Sequence, residues 1–329
     1  MPILKKTMTA CASLALALGM SVANAGETVT VYTAAPQNFV DELVPVFEAQ
    51  TGTKVEIIKA GSGELLNRLT AEGDKPVADV LWSVDGSVVD FNPALFAQYT
   101  PEGSDALAPG MQPSELWSPF TAVVMVFIVN DSKLDGLPAP TSWKDLGDPQ
   151  YKGRISSARG DKSGSAFIQF ATVLQGFGSE DAGWDVYKGV LTNMVLSDSS
   201  GAVPRFVNDG ELPIGITLED AALRYREGGG PVTIVYPSEG TAVVPDAMAL
   251  VAGGPNAEDG KAFMDFILSK EAQEIVAGLG RRPVRADVSS NPLLTPLADI
   301  KAVDYDLGWA ASNRKRLISA WSDMVLDVQ

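Results

Sequence analysis

Three stretches of this chain place small hydroxyl and glycine residues directly ahead of a helical pattern: Ser62-Gly63 before Glu64, Ser163-Gly164-Ser165 before Ala166, and Ser199-Ser200-Gly201 before Ala202. At such points the first helical turn leaves backbone N–H groups unpaired, and the helix dipole adds about half a positive charge. An anion can rest there without any basic side chain. Serine is also a preferred N-cap, so any one of these loops reads first as a capped helix start. Three of them on facing lobes, at the carboxyl ends of strands where α/β proteins gather ligands, would read as a site.

Carboxylates form a second group. Asp85 follows the strand-like run Val80 to Trp82, and Glu219-Asp220 follows the run Ile214 to Thr217. If both strands end at one crevice, these acids can accept hydrogen bonds from hydroxyls or pair with an ammonium group. Asp220 reads equally as an N-cap and Asp85 as a solvated loop residue. Thr33, Ser83, Ser200 and Thr217 stand at or just beyond strand ends and complete the expected lining, with Tyr236 as a wall. Lys162 and Arg205 lie near the anion-ready loops. Tyr32 and Trp82 are also aromatic, and core packing is the expected role of Trp82.

The residues that acid–base and nucleophilic chemistry most often use are missing. The chain has no histidine and a single cysteine, Cys11. Triads built on imidazole and the usual zinc sites therefore cannot be assembled. No catalytic residue, metal ligand or cofactor is expected.

The elements that must hold these loops alternate short β-rich runs with helical segments, as in layered α/β folds. Thr28 to Tyr32 reads as a first strand. A helix follows from about Asn38 to Gln50, with Phe39, Leu43 and Phe47 on one face, Pro45 predicting a kink or late start, and Gly52 as the stop. Lys54 to Ile58 and Val80 to Trp82 are further strands, with a helix from Glu64 to Glu72 between them. Thr121 to Val129 is almost wholly apolar and β-branched, a buried central strand that could cross between lobes. Later units alternate up to Val232 to Tyr236. Val243 to Val251 is expected to return the chain to the first lobe, two helical stretches fill Ala257 to Ala277, and a last helix runs from about Leu307 to Met324.

Lys5 and Lys6, the apolar run Met8 to Met20 and the small-residue triplet Ala23-Asn24-Ala25 read as an export signal spanning residues 1–25. Cys11 lies inside it, so disulfides are not expected in the exported chain. Of 25 basic and 41 acidic residues, only Lys5 and Lys6 fall in the signal, which leaves a net charge of about −18. Nucleic acid is an unsuited partner for such a surface, which favours solubility and a monomer. Some 300 residues exceed one growing core and call for two lobes.

Taken together, several motifs resemble the periplasmic solute-binding components of ABC importers, in the group that includes ferric-ion, phosphonate and hexose-phosphate binding proteins. They are Val29-Thr30-Val31-Tyr32; Gly61-Ser62-Gly63-Glu64-Leu65-Leu66 with Ala78-Asp79-Val80-Leu81-Trp82; Pro140-Thr141-Ser142-Trp143-Lys144-Asp145-Leu146 with Tyr151-Lys152-Gly153; and Ser269-Lys270-Glu271-Ala272-Gln273 with Arg282-Pro283-Val284-Arg285. The resemblance implies a type II-like periplasmic binding protein with two α/β lobes, each a mixed sheet flanked by helices, and a ligand cleft between them. It implies residues 26–122 plus about 243–300 as one lobe, 123–242 as the other, and a C-terminal helix, about 301–329, near the second lobe and hinge. It further implies hinge closure on a small anionic or zwitterionic solute and delivery to a membrane permease with its cytoplasmic ATPase. Ferric-binding members carry a tyrosine pair and often a histidine where this chain has Leu218-Glu219-Asp220 and Ala34-Ala35-Pro36-Gln37. That departure makes an organophosphate or phosphonate the expected ligand and ferric ion the alternative; an exported enzyme is less expected still.

Overall fold

The computed structural model describes residues 28–111 and 113–328, so the expected export signal lies outside the described residues. The chain opens as three parallel strands with helices between them. Strand β1 (Thr28–Thr33) leads to α1 (Gln37–Thr51), which buries Phe39, Val40, Leu43 and Phe47 and stops at Gly52. Gly52 takes a φ of 77°, a conformation that glycine adopts without steric cost. Pro45 does not delay the start of α1, which begins ahead of it at Gln37. β2 (Lys54–Lys59), α2 (Ser62–Glu72), β3 (Val80–Asp85) and a short α3 (Gly86–Phe91) follow, then β4 (Phe96–Ala97).

β5 (Ser118–Val129) is buried along its whole length. Valine, phenylalanine and isoleucine fill it, as a strand covered on both faces requires. The chain then forms α4 (Trp143–Leu146), β6 (Ile155–Ala158), α5 (Gly164–Gly176), α6 (Glu180–Thr192), β7 (Met194–Ser197), α7 (Ala202–Asn208), β8 (Ile214–Leu218), α8 (Glu219–Glu227) and β9 (Thr233–Val235). β10 (Val243–Val251), α9 (Ala257–Leu268), α10 (Lys270–Gly278), β11 (Arg282–Pro283) and α11 (Leu307–Val328) complete it.

The main strand order is β2-β1-β3-β10-β5-β8-β6-β7. β1 is parallel to β2 and β3, and β6 is parallel to β7 and β8, while β10 runs antiparallel to both β3 and β5. The first half of β5 pairs with β10 and its second half, Met125 to Val129, pairs with β8. Two mixed sheets therefore share β5, one lobe on each.

Each lobe has its own aromatic core. Phe47 and Trp82 both meet Phe263 edge-on in the first, and Trp82 also meets Phe120. Phe127 meets Trp143 and Phe167 meets Phe170 in the second. Leu317 and Trp321 of α11 pack into that second core, whereas Leu307 packs against a cluster of the first lobe. No helix among the described residues is long and apolar enough to cross a membrane.

Candidate ligand cleft

The carboxyl ends of β1, β2 and β3 face those of β6, β7 and β8 across a cavity of about 430 Å³. Its walls are the segments just past each strand: Ala34 to Pro36, Lys59 to Ser62, Ser83 and Asp85 from one lobe, and Lys162 to Ser165, Asp198 to Gly201 and Thr217 to Leu218 from the other. Parallel strands with crossover helices put such loops at one edge of each sheet.

The two lobes meet closely here. A Cβ on Gly61 would lie 2.5 Å from the Lys162 carbonyl oxygen, one on Gly63 2.9 Å from that of Asp161, and one on Gly164 2.8 Å from Ser62 Oγ. Only glycine lets these loops approach so far. Ser163 Oγ accepts a bond from Ala166 N at 3.3 Å and lies 3.0 Å from Ser165 Oγ, so it does cap α5 while also lining the cavity. Ser62 starts α2 behind Gly61 and makes no cap bond.

Of the residues expected from sequence, Ser62, Ser83, Asp85, Ser163, Gly164, Ser165, Ser200 and Thr217 line the cavity. Gly63 stands at the contact between the lobes. Thr33 is turned inward: its hydroxyl donates to the Trp82 carbonyl at 3.0 Å and accepts from Ala35 N. Glu219, Asp220 and Tyr236 require correction. Glu219 takes a bidentate pair from Arg282 at 2.8 and 2.7 Å together with the Tyr236 hydroxyl, and Asp220 takes Arg281 Nη2 at 2.9 Å. All three side chains are committed inside the protein and none borders the cavity. Arg205 sits away from it as well, paired with Asp209 and Glu211.

Ser83 holds a φ of 59°, uncommon for a residue with a side chain, and its hydroxyl donates to Asp246 Oδ2 at 2.7 Å. Asp85 caps α3 through Ser87 N and accepts Arg314 Nη1 at 2.6 Å. Arg314 also lies 4.0 Å from the centre of the Phe167 ring. Lys162 pairs with Asp198 at 2.8 Å.

Charged lining residues missed by sequence reasoning include Lys59, Asp198, Arg224, Asp246 and Arg281. Lys59 ends β2, so the strand-end rule could have found it. Asp246 was visible as the charged residue in the apolar run of β10. Lys59 and Arg224 come from opposite lobes and are exposed at the cavity edge, where Arg224 donates to Asn38 at 3.0 Å. Partial desolvation lowers the Lys59 pKa, Asp41 opposes that shift, and Arg224 adds to it. Among the described residues, no group of three or more carboxylate, imidazole or thiol side chains is gathered to hold a metal ion.

A family model described as bacterial extracellular solute-binding protein matches residues 75–311. The chain is 30% identical over 252 residues to a Salmonella paratyphi A protein named for binding 2-aminoethylphosphonate, covering 74% of this chain and 73% of that one. It is 28% identical over 324 residues to an Fe(3+)-binding periplasmic protein of Serratia marcescens, covering 94% of each. A periplasmic binding protein of Actinobacillus pleuropneumoniae, solved with fructose-6-phosphate bound, superposes with a TM-score of 0.87 at 28% identity, covering 91% of this chain and 98% of that one.

Proposed function

Because the chain belongs to the bacterial extracellular solute-binding protein family and acts as the periplasmic binding component of an ABC importer, not as an enzyme, we propose that its cleft captures a small organophosphate or phosphonate. The convergence of the α2 and α5 starts on one cavity, one from each lobe, carries this reading. Their N–H groups and the hydroxyls of Ser62, Ser163 and Ser165 form a cradle for a tetrahedral anion. Lys59 and Arg224 add positive charge that no carboxylate among the described residues bonds, whereas Lys162 is already paired.

Closure follows from the same arrangement. A ligand that touches both lobes gains its full set of contacts only when they meet, so it shifts the population toward the closed form. β5 and β10 run between the lobes and are the strands that must bend. Delivery to the permease, after export directed by residues 1–25, completes the role. The relatives' names cover iron, phosphonate and sugar phosphate. Ferric ion favours hard anionic ligands, but Glu219 and Asp220, the carboxylates that could stand in for phenolates, are held by arginines.

A thermal-denaturation screen tests the reading, using 2-aminoethylphosphonate, hexose phosphates, glycerophosphate, inorganic phosphate, polyamines and ferric citrate. A phosphorus compound at a hundred times its Kd should stabilise the protein by about 2.7 kcal/mol, a rise of several degrees. The rise should shrink in Lys59→Met and Arg224→Met. Stabilisation by ferric citrate alone overturns the proposal.

A further inference from the structure

Behind the cavity wall, a buried group of side chains holds more carboxylates than guanidinium groups. Asp85 and Asp246, which line the cavity, and Asp220, which lies behind it, are buried near enough for Asp220 and Asp85 to act on the Asp246 charge, and two guanidinium groups reach the three. Arg314 bonds Asp85 at 2.6 Å, and Arg281 is divided between Asp220 at 2.9 Å and Asp246 at 3.1 Å. The neighbouring Arg282 is taken by Glu219 and Lys162 by Asp198, while Lys59 and Arg224 stand at the exposed edge. Three carboxylates thus share two arginines.

Asp246 is where that shortfall meets the cavity. Both of its side-chain hydrogen bonds, from Ser83 Oγ and Arg281 Nη1, land on Oδ2, and no donor among the described residues bonds Oδ1. The residue lines the cavity and its side chain keeps 10% exposure. Burial pushes its carboxyl up to about 6; Asp220 and Asp85 add to the rise, and Arg281 and Ser83 oppose it.

We infer that Asp246 receives a positively charged group of the ligand, so the solute is a zwitterion whose ammonium meets Asp246 while its phosphonate or phosphate lies against the hydroxyl loops and the edge cations. A sugar hydroxyl could also donate to Oδ1, but it would bring no charge and leave the excess uncompensated. An ammonium supplies both the donor and the charge. The solute class is then an aminoalkyl phosphonate or the phosphate monoester of an amino alcohol. This rests on the cleft reading above, and Asp246 is the residue that selects within it.

Calorimetric titration of the full-length chain, expressed with its own leader, compares 2-aminoethylphosphonate, phosphoethanolamine, ethylphosphonate, β-alanine and fructose 6-phosphate. The expected result is at least tenfold tighter binding of 2-aminoethylphosphonate or phosphoethanolamine than of ethylphosphonate, with the ratio falling to about one in Asp246→Asn. Should that variant not fold, the wild-type ratio must fall between about pH 8 and pH 5, as Asp246 takes up a proton. Equal binding of 2-aminoethylphosphonate, phosphoethanolamine, ethylphosphonate and fructose 6-phosphate overturns the inference and leaves the phosphorus reading standing. Tight binding of β-alanine that needs Asp246, with ethylphosphonate and fructose 6-phosphate ignored, keeps the ammonium and removes the phosphorus reading. A ratio retained in Asp246→Asn, or no binding of any probe, also overturns the inference.

Discussion

Arg282 is anchored through Nε and Nη2 of its guanidinium group. It bonds both oxygens of Glu219 and the Thr295 carbonyl at 2.6 Å, and the Tyr236 hydroxyl closes the group. A buried ion pair with every partner in place gains little over a well-packed apolar pair, but removing one side strands a charge at a cost of about 3–5 kcal/mol. Glu219→Gln keeps the shape and removes the charge. Urea unfolding of the ligand-free variant should therefore show a loss on the order of 3 kcal/mol, with ligand affinity changed less than threefold. A ligand contact at Glu219 predicts the reverse pattern. The strand-end rule pointed to Ser62, Ser83, Asp85, Ser163 and Thr217, which border the cavity, because that rule depends only on local chain direction. It misjudged Glu219 because the partner that claims it lies 63 positions later, and no local pattern reports such a pairing.

The loops ahead of α2 and α5 act as a pair of closing edges, and glycine sets how near they come. Gly61 has a φ of −69° and a ψ of 151°, a conformation open to any residue. Its need for a bare Cα comes wholly from the other lobe, where the Lys162 carbonyl oxygen would stand 2.5 Å from an added Cβ. Gly61→Ala should then leave the ligand-free melting temperature within about a degree of wild type, since each lobe folds around its own core. Ligand affinity should drop at least tenfold, about 1.4 kcal/mol, because the closed form must part its edges. An unchanged Kd would show that the loops yield without cost. Among the elements, α1, α2, α5 and α11 were legible from apolar spacing and glycine stops. α3 was not: Gly86-Ser87-Val88-Val89-Asp90-Phe91 is short and carries adjacent β-branched residues, and the Asp85 cap that starts it is evident only once the chain has turned.

At the scale of the molecule, α11 ties the lobes together on the side reached by Asp85. Leu317 and Trp321 root it in the second core, where the Trp321 indole N–H donates to the Tyr187 hydroxyl at 3.3 Å, and Arg316 pairs with Glu180 of α6. From that base Arg314 reaches Asp85 and Ser87 Oγ, each at 2.6 Å, at the start of α3 in the first lobe. Two lobes that separate by bending β5 and β10 must either break this bond or carry α11 with them. With Leu317 and Trp321 buried in the second core, the first option is the prediction, and the Asp85–Arg314 pair then belongs to the closed form. Arg314→Met should leave Asp85 buried without its cation, penalise closure and weaken ligand affinity by tenfold or more. Small-angle scattering at a fixed, subsaturating ligand concentration should then give a larger radius than wild type. The paired change Asp85→Asn with Arg314→Met removes both charges and should recover part of the affinity, since no stranded carboxylate remains. If the single variant closes at the same ligand concentration as wild type, α11 travels with the first lobe, and the bond serves only to hold that lobe's own edge.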